Sequence, residues 1–253
     1  MLNIFKTRLT QGFRTANYPK EPPSLPPAFR GLPEVDFSLC TAGCGGCRQT
    51  CPTGALDTAN RRVVLDMGKC IFCGSCGRAC PKGAVTFTSD HRLAARNRED
   101  LLLRRDVLFK KAGALSKKML RIFGRSMRLR QVSAGRCNAC EADVNVLNTL
   151  VFDLGRFGIQ FVASPRHADG LLVTGPVTKN MELALRKTWE ATPSPKVVIA
   201  SGTCAVSGGL FAGRGETCGG VGGILPVDLF IPGCPPHPYT VLDGLLRLIG
   251  KIG

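Results

Sequence analysis

The feature that most limits what this chain can fold into is the run Cys70-x2-Cys73-x2-Cys76-x3-Cys80-Pro81. Three thiolates on one tight loop can each reach a different iron of a 4Fe-4S cubane. The fourth iron faces away and must take its ligand from elsewhere. A second run lies 29 residues earlier: Cys44, Cys47 and Cys51-Pro52 match Cys73, Cys76 and Cys80-Pro81, and CPTGAL is echoed by CPKGAV. The earlier run departs at its start, where Cys40-x3-Cys44 has one extra residue, and the loop is expected to bulge there, most easily at Gly43. Structural zinc is the competing reading. It favours two separated ligand pairs in a tetrahedron, which three closely spaced cysteines, twice, each followed by Cys-Pro, fit poorly.

The repeat resembles the two-cluster ferredoxin domain. That resemblance implies its α+β fold and its crossed ligation, in which the last cysteine of each run serves the other cluster. The implied sets are Cys40, Cys44, Cys47 and Cys80 for one cluster, and Cys70, Cys73, Cys76 and Cys51 for the other.

A length of 253 residues with 44% apolar content points to about two domains with real cores. No uninterrupted apolar run approaches the ~18 residues of a membrane span. The opening MLNIFKTRLTQGFR is too charged for a secretory leader, so a cytosolic protein is expected, in which a count of thirteen cysteines argues for metal ligation and against a disulfide framework. The net charge of +16 is concentrated: residues 91–136 hold 14 basic and 3 acidic side chains. That segment reads as a solvated connector or as a surface docking on partner subunits or anionic lipid. Nucleic acid is the remaining alternative, and no binding motif accompanies the charge.

Four zones follow. Residues 1–39 comprise an amphipathic helix (Leu2, Phe5, Leu9 and Phe13 on one stripe) and a Pro-rich extended arm. Residues 40–90 are the two-cluster domain. Residues 91–130 are a basic helical connector, on the helical spacing of Leu108, Ala112, Leu115, Met119 and Ile122, with a basic helix near 101–125. Residues 131–253 alternate strands (IQFVA 159–163, GLLVTG 170–175, KVVIAS 196–201, PVDLFIPG 226–233) with helices (141–156, 178–191, 238–250). This is the pattern of an α/β domain with a parallel sheet, whose sites form beyond the carboxyl ends of strands. Cys204 and Cys234 fall there.

Cys137-x-x-Cys140 alone is open between zinc, a redox dithiol and a cluster. Its context reads RCNACE, ASPRHADGLLVTGPVT, SGTCAVSGG and IPGCPP. These stretches resemble the small electron-transfer subunit shared by energy-converting NiFe hydrogenases, formate hydrogenlyases and respiratory complex I. The resemblance implies a flavodoxin-like domain with a third 4Fe-4S cluster on Cys137, Cys140, Cys204 and Cys234, and so three clusters in all. YPKEPP and FRGLP resemble the start of the ferredoxin-like subunit of the same complexes, so the chain looks like a fusion of two neighbouring subunits. Separated first cysteines, instead of adjacent ones, resemble the hydrogenase-type members more than the quinone-reducing ones. The implied chain is an electron-transfer subunit, not catalytic alone. Its implied partners are a large catalytic subunit and membrane subunits, on the cytoplasmic side of the membrane. A quinone-reducing or nickel-free relative is the alternative.

Other residues are weighed individually. Glu141, after Cys140, is expected to cap a helix start and is a candidate proton relay. His167 is expected to open a strand, and His237 to sit on the surface near Cys234. Cys218 in GETCGGVGGI matches no motif and reads as a free thiol. The Gly-rich stretch 208–223 has no phosphate-binding signature.

Overall fold

The structure, a computed structural model, describes residues 2–12, 14–40, 44–57, 63–105, 107–135 and 137–253, with the backbone alone at Leu2. The expected bulge at Gly43 and the stripe position Phe13 lie outside the described residues. Helix α1 (Leu2–Gln11) forms where the apolar spacing predicts one, and Ile4, Phe5 and Leu9 are largely exposed to solvent. The Pro-rich arm begins with a turn at Tyr18, which is buried against the last helix of the chain, and forms no helix as far as Pro33.

The 29-residue repeat is visible in three dimensions. Strand β1 (Pro33–Val35) is followed by helix α2 (Gly46–Gln49) and β2 (Leu56–Asp57); β3 (Val64–Asp66) is followed by α3 (Ser75–Ala79) and β4 (Val85–Phe87). β1 pairs antiparallel with β4, and β2 with β3, so each half lends a strand to the other. Gly54 (φ +60) and Gly83 (φ +65), 29 residues apart, make the same left-handed turn after Cys-Pro, a conformation glycine adopts without strain.

The second half is a five-stranded parallel sheet of β6 (Met127–Ser133), β7 (Ile159–Phe161), β8 (Gly170–Thr174), β9 (Val197–Ser201) and β10 (Leu229–Ile231). Its spatial order is β10-β9-β8-β6-β7, all parallel, so the strand order reverses between β6 and β8. Four of these strands lie within the predicted runs. The longest, β6, does not: it falls across the boundary of the basic connector, where Arg128 and Arg130 alternate with Met127 and Leu129, both fully buried. Among the helices, α5 (Ala139–Val146) ends early, because residues 154–157 form a separate 3-10 turn. Helices α6 (Lys179–Ala191) and α8 (Pro238–Leu248) match expectation.

The expected basic helix over 101–125 is a correction. Among the described residues of that stretch only α4 (Lys117–Phe123) is α-helical; β5 (Leu102–Leu103) pairs with β3, and residues 108–116 form neither helix nor strand. The backbone bonds go to other elements: Ala112 donates to Ala94 and Leu115 to Leu248, while Ala95 exchanges both bonds with Phe230 at the edge of the parallel sheet. The positive charge is also spent internally. Arg96 Nε donates to Asp228 O, Arg98 pairs with Asp66 at 2.6 Å, Lys111 with Asp90 at 3.4 Å, and Arg105 donates to Phe37 O. The connector is a strap that binds the two halves.

Candidate metal centre

The two cysteine runs come together as two sets of four. Cys40 is pushed up by burial and then by its neighbours Cys47, Cys80 and Cys44; Cys47 likewise by burial and, among its neighbours, by Cys44 and Cys80. In the other set, burial pushes the Cys70 thiol up to about 12, with Cys76, Cys51 and Cys73 adding to it. Cys76 is pushed up by burial, with Cys51 and Cys73 beside it. Cys51, Cys70, Cys73 and Cys76 line one small cavity, closed by Leu56, Leu65 and Phe87. Thus Cys51 leaves its own run for the later one, and Cys80 makes the reverse exchange.

Backbone amides point at these sulfurs. Ala55 N–H donates to Cys51 Sγ at 3.2 Å, and Ala84 N–H to Cys80 Sγ at 3.3 Å, the same bond repeated after 29 residues. Phe72 N–H donates to Cys70 Sγ at 3.3 Å. Cys80 is lowered, first by Ala84 N–H. Cys73, 3.4 Å from Ser75 Oγ, is raised by burial, but the Ser75 bonds, its own amide and Arg78 together bring it below the ordinary value. Such donors favour the thiolate, the form a metal needs.

The third set lies where the parallel sheet predicts a site. Cys137 follows β6, Cys140 sits in the first turn of α5, Cys204 is in α7 (Thr203–Ser207) directly after β9, and Cys234 follows β10. Burial pushes Cys140 up to about 12, helped by Glu141, Cys204, Cys234 and Cys137. Cys234 is raised by burial and then by Cys137. Cys137 and Cys234 form the exposed rim.

Glycines make room for these sulfurs. A Cβ at Gly202 (φ +93) would stand 2.5 Å from Cys140 Sγ, and one at Gly209 (φ +53) 3.1 Å from Cys204 Sγ. Sequence reasoning passed over both, although SGTC places a glycine two residues before a ligand candidate. Helix α7 also reaches the other half: Thr203 Oγ1 donates to Cys70 O at 2.7 Å and Ser207 Oγ to Gly68 O at 2.8 Å.

Among the described residues, no three His, Cys, Asp or Glu side chains stand close enough to share a single metal ion. A cubane, which takes one thiolate at each of four irons, needs donors spread around a larger body. All-sulfur donor sets in fours, N–H···S bonds and glycine-lined space fit that group.

Other expectations are corrected. Glu141 does not cap its helix. It is buried, its Oε1 accepts from Thr174 Oγ1 at 2.6 Å, and its Oε2 has no partner among the described residues. His167 ends a 3-10 turn before β8. His237 is half-buried at the start of α8, where Nδ1 accepts from the Tyr239 amide at 3.2 Å, and burial lowers its pKa. The Cys218 thiol donates to Glu182 Oε2 at 3.6 Å and is raised first by burial.

Comparison with known proteins adds two matches. A model of the family "NADH ubiquinone oxidoreductase, 20 Kd subunit" matches residues 137–248, and a model of the "4Fe-4S dicluster domain" matches residues 32–81. The chain is 41% identical over 134 residues to a membrane-bound hydrogenase subunit of Pyrococcus furiosus, taking in 53% of this chain and 80% of that protein. It is 42% identical over 134 residues to formate hydrogenlyase subunit 7 of Escherichia coli, taking in 53% and 52%. Against an NADH-quinone oxidoreductase subunit of Desulfovibrio desulfuricans it is 44% identical over 109 residues, taking in 43% and 59%.

Proposed function

The chain belongs to the NADH ubiquinone oxidoreductase 20 Kd subunit family, and from that premise we propose that it is an iron–sulfur electron-transfer subunit of a membrane-associated, energy-converting NiFe hydrogenase-type complex. It relays electrons to or from a large catalytic subunit and is not catalytic alone. We read the first half as ferredoxin-like, on its repeated strand–helix–strand halves, and the second as flavodoxin-like, on its strand order.

Three 4Fe-4S clusters are proposed, on Cys40, Cys44, Cys47 and Cys80; on Cys51, Cys70, Cys73 and Cys76; and on Cys137, Cys140, Cys204 and Cys234. Each supplies a one-electron carrier. The protein does the rest. Its thiolates hold the iron, and the amides of Ala55, Phe72 and Ala84 lower the sulfur charge that the iron feels. The apolar walls keep water from the second set. What supports the reading is that Cys40 is flanked by Cys44, Cys47 and Cys80, Cys70 by Cys51, Cys73 and Cys76, and Cys140 by Cys137, Cys204 and Cys234, with the Cys204 helix seated on the Cys70 loop.

The rim of Cys137 and Cys234 is the proposed contact with the large subunit, since an exposed ligand pair needs cover. No helix among the described residues is long and apolar enough to cross a membrane. The exposed face of α1, with Ile4, Phe5 and Leu9 beside Lys6 and Arg8, supports peripheral attachment through membrane subunits on the cytoplasmic side. The second reading is a quinone-reducing complex, favoured by the likeness to NADH-quinone oxidoreductase subunits. The test is anaerobic purification of the complex through a tag on this chain. A co-purifying large subunit carrying nickel is the expected result. Nickel-free preparations that reduce quinone would favour the second reading.

A further inference from the structure

Thr203 immediately precedes Cys204 and is only 1% exposed. Its hydroxyl donates to the Cys70 carbonyl oxygen at 2.7 Å and accepts from the Gly233 amide at 3.3 Å. Its own amide donates to Gly233 O at 2.8 Å. Gly233 immediately precedes Cys234. One residue is therefore bonded to backbone at or beside three candidate ligands, which come from segments far apart in the chain. Only a side chain that both gives and takes a hydrogen bond can do this, and valine, of the same shape, can do neither.

The grip is repeated one turn later. Ser207 Oγ donates to Gly68 O at 2.8 Å. Gly68 has no room for a side chain, because a Cβ there would lie 2.8 Å from Val206 Cγ1 and 2.7 Å from Arg98 Cζ. Asp66 holds the same loop from the other side, accepting from Gly68 N–H at 2.9 Å and from Arg98 Nη2 at 2.6 Å.

We propose that Thr203 is the positioning residue that sets the second cysteine set, through Cys70, against the third, through Cys204 and Cys234, so that the two move as one body. Thr203 is neither oxidised nor reduced. The value of the arrangement rests on the relay reading, because electron exchange weakens steeply with separation and a bond between ligand-bearing backbones fixes that separation. The contact itself is independent of that reading.

The experiment compares Thr203→Val and Thr203→Ser in the full chain, purified anaerobically with its iron. Amide hydrogen exchange at Gly233 and across residues 203–207 is expected to quicken about fivefold or more in Thr203→Val, as when one buried hydrogen bond is lost. Thr203→Ser should restore it. In EPR of the fully reduced protein, the spin–spin splitting between the second and third clusters should shrink in the valine variant alone. Unchanged exchange together with unchanged splitting overturns the proposal. If Thr203→Val loses iron, Ser207→Ala carries the test: it removes the hydroxyl that bonds Gly68 O, Thr203 O and the Gly209 amide while leaving the Thr203 hydroxyl in place, and exchange over 203–207 must rise with iron content intact. No rise there overturns the proposal. A wild-type chain without iron–sulfur signals would overturn the relay reading instead, with the exchange measurement still deciding the role of Thr203.

Discussion

Thr174 Oγ1 donates a 2.6 Å hydrogen bond to Glu141 Oε1, bracing the carboxylate that follows Cys140 against the end of β8. The bond fixes the first turn of α5 and with it the Cys140 sulfur. Its Oε2 has no partner among the described residues, at the residue first raised as a candidate proton relay. Glu141→Gln should keep the brace through its amide oxygen and leave the EPR spectrum unchanged, while lowering turnover of the complex if protons pass there. Thr174→Val should leave a buried carboxylate oxygen unpaired, costing about 1–3 kcal/mol of stability, measured by thermal unfolding. A perturbed spectrum in Glu141→Gln would contradict the brace.

The space at Gly202 is a sharper test of the third set. An alanine there would place its Cβ 2.5 Å from Cys140 Sγ, on backbone with φ +93 that L residues rarely adopt. Gly202→Ala should lower the iron content by about four atoms per chain, with the signals of the other two clusters retained. Full iron loading would contradict the proximity of Cys140 to the β9 turn.

Cys218 contacts Glu182, and its charged neighbours are Glu182, Lys179 and Arg186. Cys218→Ser should leave iron and activity nearly unchanged. Cys137→Ser, Cys140→Ser, Cys204→Ser and Cys234→Ser should each remove or convert one cluster. If Cys218→Ser loses a cluster while Cys204→Ser does not, the ligand assignment is wrong.

Much of this was legible in the sequence, for identifiable reasons. Ligand spacing and the 29-residue repeat act locally, so the paired strand–helix–strand halves could be expected before the structure, while the exchange of Cys51 and Cys80 between runs came only from the resemblance to two-cluster ferredoxins. The four parallel strands rich in branched residues declared themselves. Strand β6 did not, because Arg128 and Arg130 project from it beside a basic run and conceal an alternating pattern. The helix expected near 101–125 failed for a tertiary reason. Ala112 and Leu115 are buried, as their spacing implies, but they dock in irregular chain against Ala94 and Leu248, leaving Leu108 exposed. The bonds of Thr203 and the brace on Glu141 join residues 30 to 133 positions apart, and no local pattern announces them.

A buried polar cluster gives the pH dependence. His91 Nε2 lies 3.1 Å from Tyr18 OH, which donates to Asp243 Oδ1 at 2.9 Å; Arg247 Nε donates to Asp243 Oδ2 at 2.8 Å. Burial holds His91 below the usual imidazole range, against the pull of Asp243 and Asp90 and with Arg92 and His237 opposing protonation. The unfolded chain takes up that proton more readily, so stability from His91 is complete above the ordinary imidazole value, about 6.5, and declines as the pH falls below it. The melting temperature should be lower at pH 5.5 than at pH 7.5, and His91→Gln should flatten part of that slope. An unaltered slope would show that His91 does not carry it.

The measurement that tests the central claim most directly is the iron and acid-labile sulfide content of the anaerobically purified chain, with EPR spin quantitation after reduction. The account predicts about twelve iron and twelve sulfide per chain, in three cubanes. A reproducible value near eight iron after full reconstitution would contradict the third cluster. Zinc as the dominant metal would contradict the electron relay altogether.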